Sequence, residues 1–67
     1  MIEITLNDTP HAVKDGSDLA ELVQTLGYAG KRIAVERNGE IVPKSRYVET
    51  PLAAGDRLEI VVAVGGG

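Results

Sequence analysis

An α+β fold follows from three features of the sequence. Ile2, Ile4 and Leu6 alternate with polar residues near one end, and Leu58, Ile60 and Val62 do so near the other. That period of two marks strands with one buried face. Between them Leu19, Leu22, Val23 and Leu26 recur at the spacing that lines one face of a helix. A third apolar stretch is split at Asn38-Gly39, a pair whose tolerance of positive φ makes it a strong hairpin signal. At 67 residues the chain forms one small domain, and such a domain buries only about 60% of the surface its unfolded form exposes.

Taken in order, the first strand carries Ile2, Ile4 and Leu6 inward, with Glu3 and Thr5 between them. Asn7-Asp8-Thr9-Pro10 is a cluster of turn residues, after which His11 to Lys14 can return as a hairpin partner with Val13 facing inward. Asp15-Gly16 closes that strand. Asp18 is a suitable helix N-cap, and Glu21 stands three residues on, where it can reach back to the cap backbone. Gly27 suits the left-handed position just past the helix. The helix runs for only two to three turns, so its apolar stripe needs a sheet to cover. Beyond a polar loop from Tyr28 to Arg32, the stretch Ile33 to Arg37 reads as a third strand and Glu40-Ile41-Val42 as its short return. Pro43 stops that return because it has no N–H for a ladder bond. Lys44 to Thr50 reads as a loop with one helical turn, tied down by Tyr47 or Val48. Ala53-Ala54-Gly55-Asp56 is another turn, and Arg57 to Val64 is the longest β-like run. One face of that run carries Leu58, Ile60 and Val62, and the other carries Glu59, Val61 and Ala63.

The element order is therefore β-β-α-β-β-β. One helix packed across one face of a mixed sheet of about five strands buries both stripes economically. With the first and last strands adjacent and parallel, the arrangement is a β-grasp, the ubiquitin-like fold. The domain is expected over residues 1–64, and Gly65, Gly66 and Gly67 are expected to form a flexible tail.

Composition narrows the function. There is no cysteine and a single histidine, His11. Thiolate chemistry, disulfides and a zinc site built on such ligands are thereby excluded. A net charge of −3 and an isoelectric point near 4.9 argue against nucleic acid, whose phosphates need a basic patch. No apolar run has the length of a membrane span and no signal-peptide pattern is evident, so a cytoplasmic location is expected. No set of side chains reads as a catalytic constellation. His11 reads as a surface residue, and Lys14, Lys31, Arg32, Arg37, Lys44, Arg46 and Arg57, interspersed among acids, as a solvated surface.

Chemistry is left to the main chain's end. Gly65-Gly66-Gly67 adds no side chains to pack, and at roughly 3.3–3.6 Å per extended residue the three reach about 10 Å beyond the last ordered position. A carboxylate is a poor electrophile. Converted by ATP to an acyl-adenylate it becomes a mixed anhydride that a sulfur nucleophile can attack, giving a terminal thiocarboxylate. Glycine leaves the carbonyl carbon open to approach from either face and lets the tail enter a narrow channel.

Several segments resemble the thiamine-biosynthesis sulfur carriers, the ThiS-like proteins, within the ubiquitin-like sulfur carriers. They are Ile4-Thr5-Leu6-Asn7-Asp8, the hairpin from Ala34 to Pro43, and Gly55-Asp56-Arg57-Leu58-Glu59-Ile60-Val61 followed by Val64-Gly65-Gly66-Gly67. The similarity runs over almost the whole chain. It departs at Tyr47, where many relatives are expected to carry tryptophan. The resemblance implies a carrier rather than an enzyme, binding no cofactor itself. An E1-like adenylyltransferase would use ATP to adenylate Gly67, a sulfurtransferase or cysteine desulfurase system would supply sulfur, and thiazole synthase would receive the thiocarboxylate, with Gly65 and Gly66 inserted as the tail. Val61 and Ala63 would join the docking face if the strand register turns them outward. Alternative readings are a carrier for molybdopterin or another sulfur-transfer pathway, or a non-catalytic ubiquitin-like modifier or interaction domain.

Overall fold

A computed structural model describes residues 1–63. Strand β1 (Ile2–Leu6) and β2 (Thr9–Val13) form an antiparallel hairpin, followed by helix α1 (Leu19–Thr25). Strands β3 (Ile33–Arg37) and β4 (Glu40–Val42) form a second hairpin, a 3-10 turn covers Lys44–Arg46, and β5 (Arg57–Val62) returns through the middle. The sheet order is β2-β1-β5-β3-β4. β5 runs parallel to β1 and antiparallel to β3. This is the β-grasp arrangement, with the first and last strands side by side at the centre of a mixed sheet.

Both hairpins turn on two residues of positive φ, as their sequences require. Asn38 and Gly39 have φ of 50° and 88°, and Asn7 and Asp8 have 48° and 67°. The first turn is therefore tighter than the four-residue cluster suggested. Thr9 and Pro10 belong to β2, which ends at Val13 rather than Lys14. Pro10 is tolerated because β2 is an edge strand. Leu6 and Thr9 close the turn, so alternation points the nitrogen of Pro10 away from β1.

The helix starts on the predicted Asp18 cap and stops at the predicted Gly27, but among the described residues the Glu21 side chain makes no return bond to the cap backbone. The Asp18 carboxylate accepts from the Glu21 N–H at 2.8 Å, satisfying one of the first-turn donors. Beyond the helix, Gly27 has φ of 81°. Its N–H donates to Gln24 O and that of Tyr28 to Val23 O, both at 3.0 Å, the paired bonds of a Schellman stop.

Ile4, Leu19 and Val35 are the fully buried centre of the core, joined by Val13, Leu22, Val23, Leu52, Leu58 and Ile60. Full burial of an aliphatic side chain of this size contributes about 1.5–3 kcal/mol. The stretch after the 3-10 turn is tied down by Tyr47, which is buried, and not by Val48, which is 71% exposed. Burial pushes the Tyr47 phenol pKa up, keeping it neutral. Main-chain bonds from Leu19 N to Thr50 O and from Leu52 N to Ser17 O, both 2.9 Å, fasten this segment to the helix entry. β5 ends at Val62, so Ala63 already lies past the strand, and Val64, the predicted end, lies outside the described residues. The last inward position, Val62, is 38% exposed, so burial fades as β5 leaves the core.

Candidate functional site: the exit of the central strand

β5 carries the chain toward Gly65–Gly67, and it is gripped from both sides. On one flank its register with β3 runs from Arg37↔Leu58 to Ile33↔Val62. A further bond from Ala63 N to Arg32 O at 2.8 Å carries the ladder one residue past the strand. On the other flank β1 pairs only through Thr5↔Arg57 and Leu6↔Leu58 before it turns away. Asn7 makes up the difference. Its N–H donates to Leu58 O at 2.9 Å. Its side-chain amide then imitates one more ladder residue: Nδ2 donates to Ile60 O at 3.2 Å, and Oδ1 accepts from Ile60 N at 2.8 Å.

The start of β5 is anchored by a polar knot. The Asp56 side chain is only 7% exposed. It accepts from the Arg37 Nε at 3.0 Å, from the Asn38 Nδ2 at 3.2 Å and from the Ala53 N–H at 2.9 Å. Asn38 also accepts from the Arg57 N–H through Oδ1 at 2.9 Å. Burial alone would push the Asp56 pKa up. The hydrogen bonds from Ala53, Arg37 and Asn38, with the Arg37 charge, outweigh it and hold the carboxyl below its usual range. Arg37 is thus not part of an ordinary solvated surface, as its sequence context suggested; its side chain is half-buried in an ion pair. The turn residues of the two hairpins, Asn7 and Asn38, both hold β5. Only their turn role was visible in the sequence, because the partners lie 53 and 19 residues away.

Val61 and Ala63 are exposed, Val61 at 60%. Alternation along β5 turns them to the sheet face opposite Leu58 and Ile60, with Val61 beside Ala34 in the register. Gly65, Gly66 and Gly67, the predicted tail and point of modification, lie outside the described residues. His11 is partly exposed, on the edge strand β2 opposite Ile4. Among the described residues no three or more His, Cys, Asp or Glu side chains gather where they could hold a metal ion. No helix among them is long and apolar enough to cross a membrane.

Comparison with known proteins fits this frame. The ThiS family model matches residues 2–67. The chain belongs to the ThiS family. The sulfur carrier protein ThiS of Bacillus subtilis is 43% identical over 54 residues, covering 81% of this chain and 82% of that protein. The crystal structure of the thiamine biosynthesis protein ThiS from Geobacter metallireducens superposes with a TM-score of 0.83 at 29% identity, covering 98% of this chain and all of that one. A thiazole synthase of Magnetococcus marinus is 38% identical over 66 residues; the match takes in 98% of this chain and 20% of the enzyme. The chain therefore spans about a fifth of that relative's length.

Proposed function

We propose that this ThiS-family chain is a sulfur carrier in thiamine biosynthesis whose chemistry resides at the Gly67 carboxylate. In the first step the carboxylate attacks the α-phosphorus of ATP held by an E1-like adenylyltransferase, releasing pyrophosphate and leaving an acyl-adenylate on Gly67. In the second, the outer sulfur of a persulfide on a sulfurtransferase or cysteine desulfurase system attacks the acyl carbon and displaces AMP, forming an acyl disulfide. A thiol reductant then cleaves that S–S bond, leaving a thiocarboxylate on Gly67 and the donor sulfur in a disulfide with the thiol. Thiazole synthase then takes this sulfur into the thiazole ring. The chain supplies no catalytic group and no cofactor: its part is to hold β5 rigidly and present Gly65–Gly67 to each partner in turn, with Val61 and Ala63 on the docking face.

The observation that carries this reading is the family match, which extends through Gly67 and includes all three terminal glycines. The similarity to a sulfur carrier along most of its length and to a thiazole synthase along a fifth supports the pathway. Intact-mass measurement tests it. Incubated with the adenylyltransferase, ATP and a sulfur donor, the chain should gain the mass difference between sulfur and oxygen, located by fragmentation on Gly67. A mass that never changes under these conditions, for a chain that the adenylyltransferase binds, rules the reading out.

A further inference from the structure

We infer that Val62 forms an open sheet edge that receives an extended main-chain segment of thiazole synthase, adding a short strand to β5 next to the point where the tail begins. The inference deepens the carrier reading and rests on it.

The evidence is an account of backbone bonds. Ala63 N points to β3, where it bonds Arg32 O, and Ile60 N points the other way, to Asn7 Oδ1. Alternation along a strand therefore aims both the N–H and the C=O of Val62 toward the β1 flank. β1 has already turned away there. Its pairing stops at Leu6↔Leu58, and the Asn7 amide occupies Ile60 and nothing beyond. Among the described residues the Val62 N–H and C=O have no partner on that flank. Val62 as a residue is 38% exposed.

The sheet's outer edges are treated differently. On β2 the outward position after Thr9 is Pro10, which has no N–H to offer. β4 is three residues long and runs into Pro43. Short strands and prolines are how sheets discourage stray pairing, and the flank beside Val62 carries neither device. An enzyme that takes the Gly67 carboxylate must pass close to this edge, because only four residues separate Val62 from Gly67. Main-chain pairing there would give affinity without demanding particular side chains.

Two measurements on the full chain with thiazole synthase test the inference. Hydrogen exchange should show the Val62 amide protected at least tenfold on complex formation. A chemically synthesised chain carrying an N-methyl group on Val62 loses the edge donor but keeps the side chain, the β3 ladder and the terminal carboxylate. It should bind thiazole synthase about three- to tenfold more weakly, the effect of one lost hydrogen bond. N-methylation of Val61, whose N–H faces β3, should instead lower the melting temperature. Binding without protection at Val62 overturns strand addition and leaves the carrier reading standing, and so does equal affinity of the folded N-methyl chain. Should the N-methyl chain fail to fold, exchange at Val62 in the unmodified complex decides. A complete absence of both binding and sulfur delivery overturns the carrier reading, and the inference with it.

Discussion

Asp56 shows how much one buried carboxylate organises. Three donors from three segments converge on it: Arg37 at the end of β3, Asn38 in the hairpin turn and Ala53 in the preceding loop. Together they set where β5 starts, and so the line along which the chain leaves the domain. Its pKa in the folded state is lowered, whereas in the unfolded chain it should titrate near 3.9. The folded state thus binds fewer protons, so this contribution to stability is complete above about pH 5. It is lost as pH falls below about 4 and through the depressed folded value. Asp56→Asn should destabilise the protein by about 1–3 kcal/mol at neutral pH, because the amide cannot satisfy the buried donors with the same charge. Urea unfolding across pH 3–7 would check this. The variant's stability should fall less steeply toward acid than the parent's, and parallel curves would mean the carboxylate is not the group responsible.

Elements divide into those whose cause is local and those whose cause is not. Helix α1 was legible because its cap, stripe and stop all sit within ten residues of sequence, from Asp18 to Gly27. Replacing Asp18 with alanine removes the bond to Glu21 N and should cost about 1 kcal/mol, seen as a lower melting temperature with an unchanged unfolding slope in denaturant. The β3–β4 hairpin was legible for the same reason, since Asn38-Gly39 carries its own turn chemistry. The first hairpin was misjudged by two residues because Thr9 and Pro10 look like turn residues in isolation. Only the edge position of β2, a fact about the assembled sheet, makes a proline harmless there. The grip on β5 was illegible for a stronger reason. An asparagine whose side chain completes a ladder with Ile60 looks, in the sequence, like any asparagine in a turn. Of the candidate site, the outward alternation of Val61 and Ala63 could be read from period two alone.

On the scale of the whole molecule, stability and function are assigned to different stretches of chain. The described core draws on residues from Ile4 to Ile60 and on nothing later. The proposed chemistry uses only Gly67, with Gly65 and Gly66 leading to it. The two should therefore separate cleanly under mutation. Deleting Gly66 and Gly67 leaves in place every buried side chain and every bond described for β5, so unfolding free energy should stay within about 0.5 kcal/mol of the parent, as for a change remote from the core. The same deletion moves the carboxylate two residues, or about 7 Å of extended chain, back toward the domain. Adenylation and sulfur transfer should then be lost outright rather than slowed, because a reacting carbon that far from its site is out of reach of the chemistry. Adding one alanine after Gly67 makes the converse test: it moves the carboxylate outward and gives the terminal residue a Cβ, again without touching the fold. If either variant still acquires sulfur at its end, the partners recognise the domain and tolerate its reach. If either melts several degrees lower, the terminal residues belong to the fold, and a body that merely presents its main-chain end is the wrong picture.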